Sequence, residues 1–221
     1  MRLSEDNAGR FRVPYVALMA VAHNTMMAEG LLPKSETIAE ADPQTKIRVR
    51  DWALSAPGFL DAFLEENPVS LDADALATVR GFRHAVQGEF FVLRERKTHT
   101  VLLSAEEPTL AYALVALNEP PQHQIELSMP ILLRTVLWPF EGQIVYDGLC
   151  TANSLHFGAG FRRSLDDALR EAEARYGLVT SIPFDPVIRP DAQKRLLLSY
   201  TRGLGTIERY QEEIDHLLRQ E

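Results

Sequence analysis

The residues of this chain whose types and spacing could do chemistry gather between Trp138 and Ser164. The run W-P-F-E-G-Q-I-V-Y-D-G-L (138–149) joins a turn through Pro139, Glu141 and Gly142 to a compact strand carrying one carboxylate, Asp147. Alternation along that strand puts Ile144, Tyr146 and Gly148 on one face and Val145 and Asp147 on the other. Asp147 thus shares a face with an apolar residue and reads either as a pocket-facing carboxylate or as a turn former before glycine. His156 follows in the next extended stretch. If the two segments pair, Asp147 and His156 form an acid/base couple, with Arg162 or Arg163 stabilising an anionic transition state.

F-G-A-G-F-R-R-S (157–164) is the second constellation. Gly158 and Gly160 let backbone N–H groups approach a ligand. Arg162 and Arg163 add charge at the start of a helix, which Ser164 is placed to cap. Gly158, Gly160, Arg162, Arg163 and Ser164 together read as a binding site for a small anion. The spacing is neither the phosphate-loop pattern, which needs Lys before Ser or Thr, nor the dinucleotide fingerprint with its third glycine. Asp166 and Asp167 already complement the helix dipole and offer the arginines intramolecular partners, so a purely structural loop is the competing reading.

No other group of residues has a chemical signature. The six histidines lack metal-ligand spacing: His23 falls on the apolar stripe of a helix, while His99 and His123 fall in a hairpin and a Pro-Pro-Gln loop where exposure is expected. A single cysteine, Cys150, excludes an intramolecular disulfide, has no sequence-level activator, and suits a reducing compartment. No Ser or Cys lies in a nucleophile elbow. The acidic pairs, such as Glu65-Glu66 and Glu212-Glu213, read as solvated ends. Neither a metal nor a cofactor is called for.

A chain of 221 residues that is 46% hydrophobic has ample material for a packed core. The net charge of −8 is spread over the whole length with no basic segment, which argues against long nucleic acid as a partner. The acidic N-terminus M-R-L-S-E-D-N does not resemble a secretory leader, and Val13–Ala22 is too short to span a bilayer, so a cytoplasmic protein without membrane contact is expected.

The elements that must position these residues fall into three segments. Over residues 1–88 the apolar period is that of helices: Pro14–Gly30 with Pro in its first turn, Ser35 to about Leu54, Pro57–Glu65, and Asp72–Gln87 with Leu76, Val79, Phe82 and Val86 on one stripe. At Gly88 the period changes to two, and over 89–183 five or six short strands are expected, beginning with a hairpin about Arg96-Lys97. Thr109–Leu117, Ile125–Trp138, Gln143–Leu149 and Ser154–Phe157 are further strand candidates, followed by a helix Ser164–Tyr176 stopped by Gly177. Residues 184–221 are helical again, with Ile207, Tyr210, Ile214 and Leu217 forming a stripe that suits docking on the same core or a homodimer contact. The segregation of helices from strands predicts an α+β fold, a helical N-terminal bundle packed on a bent antiparallel sheet and followed by C-terminal helices.

The phrases F-E-G-Q-I-V-Y-D-G-L, F-G-A-G-F-R-R-S-L and R-Y-G-L-V-T-S-I-P resemble a pattern of uncharacterised bacterial proteins over roughly residues 89–183. The resemblance implies that strand, glycine loop and helix form one unit, and it carries no catalytic residue with it. The residues therefore point first to a binding or regulatory module for a small anionic ligand or a protein partner. The alternatives are a hydrolase or phosphoryl-processing enzyme built on Asp147 and His156, and a subunit of a larger assembly held by the C-terminal helix.

Overall fold

A computed structural model describes residues 1–33, 37–125, 128–153 and 157–204 of the chain, with side chains to Ser199. Four helices come first: α1 (Glu5–Ala28), α2 (Pro43–Ser55), α3 (Phe59–Glu66) and α4 (Ala73–Gly81). The starts of α1, α2 and α4 each follow a side-chain cap. Ser4 Oγ accepts from the Asn7 N–H at 3.2 Å, so α1 starts well before Pro14, which is buried in the helix interior. The expected start at proline is corrected, because a serine cap followed by two acids is the stronger signal, and the helix forgoes one internal hydrogen bond at Pro14. Asp42 caps α2 through the Gln44 and Thr45 N–H groups at 2.9 and 3.0 Å, and Pro43 occupies the first helical position. That Asp-Pro pair sets the start well after Ser35. Asp72 likewise caps α4, which gives way to a 3₁₀ turn over Phe82–His84 and then to a strand from Val86. Phe82 is buried with the helices, but Val86, expected on the same helical stripe, already belongs to the sheet.

Six strands follow among the described residues: β1 (Val86–Glu95), β2 (Thr100–Ser104), β3 (Ala111–Ala116), β4 (Ile131–Phe140), β5 (Gln143–Asn153) and β6 (Leu178–Val179). A four-residue helix α5 (Pro121–Gln124) lies between β3 and β4; α6 (Ala159–Arg175) and α7 (Ala192–Leu204) come after β5 and β6. The hairpin about Arg96-Lys97 is present: β1 pairs antiparallel with β2. β1 also pairs with β4, β4 with β5, and β2 with β3, all antiparallel, whereas β3 runs parallel to β5 and to β6. The sheet is thus mixed rather than antiparallel, because the β3–β4 connection carries the chain across to the far side of the sheet. The pairings β1–β2–β3–β5–β4–β1 close on themselves, so the five longer strands form a barrel that has no free edge in that ring.

Alternation sorts the barrel residues into three apolar regions. Phe90, Val92, Leu114, Leu133, Ile144 and Tyr146 fill the interior. Val136, Trp138, Phe140 and Val145 face outward under α1, α2 and α4. Val101, Leu103 and Ala111 face outward under Leu165, Leu169 and Ala172 of α6. The expected opposite facing of Ile144/Tyr146 and Val145/Asp147 holds. Among the described residues no helix is long and apolar enough to cross a membrane. The C-terminal stripe Ile207–Leu217 lies outside the described residues.

His99, expected to be exposed, is half-buried, with Nε2 shielded from solvent and without a hydrogen-bond partner among the described residues, while Nδ1 lies 2.9 Å from Thr98 Oγ1. Burial, and then the nearby Arg96 charge, hold its pKa below the ordinary 6.5. The unfolded chain therefore takes up this proton first, and stability falls as pH drops through about 6.5 toward the lower folded value. His99→Phe is expected to flatten that part of the profile, as read by urea unfolding between pH 7 and pH 5.

Candidate functional site

The type of turn at Glu141-Gly142 starts the local geometry: φ values of 48° and 70° at these two residues make the two-residue reversal that matches strand twist. From there β4 and β5 pair in register until Leu137↔Tyr146 and resume at Thr135↔Cys150. Two steps on β4 answer four on β5, so Asp147, Gly148 and Leu149 form a bulge, with Gly148 at φ 91°. A bulge takes backbone groups out of the ladder, and buried ones must find other partners. The Leu149 N–H donates to Asp147 Oδ1 at 2.9 Å. The Leu149 carbonyl accepts from Arg50 Nη1 and Thr135 Oγ1 at 2.7 and 2.8 Å. Gln124 Nε2 donates to the Gly148 carbonyl at 2.8 Å.

Asp147 is the centre of this arrangement. Its Oδ2 accepts from Tyr15 Oη at 2.9 Å and from Trp138 Nε1 at 3.0 Å, and Arg50 Nη1 lies 3.4 Å away. Its side chain is 0% exposed and that of Arg50 1%. Arg50 also pairs with Asp51 at 3.0 Å. Burial works against the Arg50 charge, but Asp147 and then Asp51 outweigh it and raise its pKa above the ordinary value. Burial, reinforced by Asp147, pushes the Tyr15 phenol well up, so it stays a donor. Phe11, Tyr15, Phe82 and Trp138 pack ring against ring around the carboxylate, with the Phe82 and Trp138 centroids 4.8 Å apart. On the inner face Tyr146 Oη donates to Gln124 Oε1 at 2.9 Å and lies 3.0 Å from Cys150 Sγ. Burial raises the Cys150 pKa, so its thiol stays protonated.

Asp147 is therefore a joint between the helices and the barrel, with its oxygens engaged and no surface toward solvent. The partner expected for it, His156, lies outside the described residues. Tyr15, Arg50 and Trp138 were not singled out by sequence reasoning, since an arginine on a helix looks like a solvated side chain until its surroundings are known.

The glycine–arginine segment has the opposite character. Gly158 precedes the helix, and Gly160, Arg162, Arg163 and Ser164 lie inside it, so the expected cap at Ser164 is corrected: its hydroxyl donates to the Gly160 carbonyl at 3.3 Å. Two glycines are poor helix formers, and what holds this turn is aromatic packing. Phe157 and Phe161 stack at 4.9 Å, and each meets Phe91 of β1 at 5.8 Å. No side chain caps the helix start. All residues from Gly158 to Ser164 are exposed. Asp166 pairs with Arg94 and Asp167 with Arg170, leaving Arg162 and Arg163 without a carboxylate partner among the described residues. Arg162 Nε donates to the Phe157 carbonyl at 3.1 Å, and Arg163 has no ion pair among the described residues. Phe157 and Phe161, four residues apart around the glycines, were the sequence signal for this start. His123 is exposed beside Glu95 and His23 is buried, as expected. No group of three metal-ligating side chains occurs among the described residues.

No protein-family model matches the chain, and neither a curated protein nor a solved structure matches it. The geometry thus stands by itself.

The two constellations should separate in a urea titration. Asp147→Ala leaves the buried Arg50 with Asp51 as its one carboxylate partner among the described residues and strips Tyr15, Trp138 and the Leu149 N–H of their acceptor, and it is expected to destabilise the fold by about 3–5 kcal/mol. Arg162→Ala and Arg163→Ala, at exposed positions, should each stay within about 0.5 kcal/mol of the parent.

Proposed function

We propose that the protein is a cytoplasmic binding module, and that its contact surface is the start of α6. The observation that carries this reading is the exposed run Phe161-Arg162-Arg163 at an uncapped helix start, with Phe161 44% exposed. Aromatic and arginine side chains are the types that supply most binding energy at protein interfaces. A large ring held in solvent by packing behind it is pre-ordered, so little further entropy is lost on contact.

Between a small anion and a protein partner, the shape favours the protein. Every residue from Gly158 to Ser164 is exposed, so this surface offers little enclosure, whereas small ligands are held in concave sites that bury most of their area. The acid/base reading rests on Asp147, and a carboxylate enclosed by three donors and a guanidinium has no path to a substrate while the helices stay docked. Binding, without chemistry, is the function this surface serves.

A thermal-shift series with poly-glutamate, inorganic phosphate, sugar phosphates and nucleotides tests the reading. Poly-glutamate should raise the melting temperature of the parent, since a ligand at about 100 times its Kd adds about 2.7 kcal/mol. The rise should vanish in Arg162→Ala/Arg163→Ala. Equal shifts in parent and double variant would contradict the proposal, and a shift from phosphate alone would return the surface to a small anion.

A further inference from the structure

The aromatic wall at the start of α6 packs on Phe91 of β1, and the strip of barrel beyond that ring is covered by neither helical layer among the described residues. Phe91 of β1 lies directly across from Leu132 of β4, and Leu132 across from Asn153 of β5. One outward position further along, Glu89, Arg134 and Thr151 form the next row across the same three strands. Their inward neighbours Phe90 and Leu133 fill the barrel, which confirms that these two rows face out. Phe91 and Leu132 are half-buried, and Glu89, Arg134, Thr151 and Asn153 are exposed. Sheet faces are normally covered by another layer, so a half-apolar strip of three strands beside stacked phenylalanines is a place for something to lie.

Charge says what. The chain is acidic overall, and among the described residues seven of its thirteen exposed arginines sit in ion pairs, while Arg12, Arg48 and Arg80, on α1, α2 and α4, have none. Arg134 has none among the described residues, although Glu89 is its direct cross-strand neighbour. Together with Arg162 and Arg163 it gives this side of an acidic protein three exposed arginines with no carboxylate partner among the described residues. We infer that the binding surface proposed above continues from α6 onto the strip of β1, β4 and β5, and that its occupant is an acidic segment of another protein. Apolar side chains of that segment rest on Phe161 and Leu132, and Arg134 reads a carboxylate. Thr151 and Asn153 supply hydrogen bonds for backbone or side-chain groups. Glu89 excludes a partner with a second carboxylate at that point.

This inference rests on the binding reading, and the test separates the two. Fluorescence anisotropy of the full chain would be measured with a labelled dodecapeptide of alternating Glu and Phe, its Lys–Phe counterpart, and a fifteen-residue oligothymidine. The Glu–Phe peptide should bind and the Lys–Phe peptide should not. Arg134→Glu and Phe161→Ala should each weaken binding roughly tenfold or more, and Glu89→Gln should strengthen it; circular dichroism checks that each variant is folded. If Arg162→Ala/Arg163→Ala abolishes binding while Arg134→Glu leaves it unchanged, the strip is excluded and the α6 surface stands. If the oligothymidine binds more tightly than the Glu–Phe peptide, the partner class is overturned. Failure of every probe to bind overturns both.

Discussion

One buried carboxylate organises this molecule. Asp147 sits at the bulge where β5 leaves register with β4, and it receives a tyrosine, a tryptophan, a backbone amide and an arginine from three parts of the chain. A charge in that position is tolerable only with a close opposite charge and donors for its oxygens. Arg50 meets the first need and, by binding the Leu149 carbonyl, also stabilises the backbone that the bulge had released. The helical layer and the barrel are thereby tied at a point where hydrophobic packing alone would leave unpaired polar groups.

From that joint the division of labour follows. The side of the barrel under α1, α2 and α4 is occupied by an aromatic core and the ion pair, and the side under α6 by aliphatic packing. Chemistry-bearing residues on the first side are spent on structure. What stays in contact with solvent is the border between the layers, where α6 begins after Gly158 and where Glu89, Arg134, Thr151 and Asn153 of β1, β4 and β5 are exposed. A rigid barrel holding aromatic and cationic groups at its surface suits recognition, since such groups are positioned before the partner arrives.

The sequence was informative where a local rule is strong. The β1–β2 hairpin, the tight turn at Glu141-Gly142, the facing of Ile144 and Tyr146 away from Val145 and Asp147, and the stop at Gly177 follow from period and turn chemistry, and all are present. Asp147 stood out because a carboxylate on an apolar face needs an explanation. Its partners did not, since Tyr15 and Arg50 are 132 and 97 residues away and nothing local distinguishes them from other helical residues. Ring closure was equally hidden: the parallel pairing of β3 with β5 depends on where the chain crosses, and strand alternation carries no information on that. The beginning of α6 was misplaced because Gly158 and Gly160 read as a loop, whereas Gly160 is helical in a turn held by Phe157 and Phe161 packing on Phe91 of another strand.

Hydrogen exchange at the Leu149 amide tests the central claim most directly, because that N–H is outside the strand ladder and donates to Asp147. If the carboxylate is the joint described here, this amide exchanges as slowly as the ladder amides of central β4 and only through global unfolding. Exchange at Leu149 as fast as at the exposed turn residue Gly142 would mean that the bulge opens locally, and that Asp147 does not hold the two halves of the fold together.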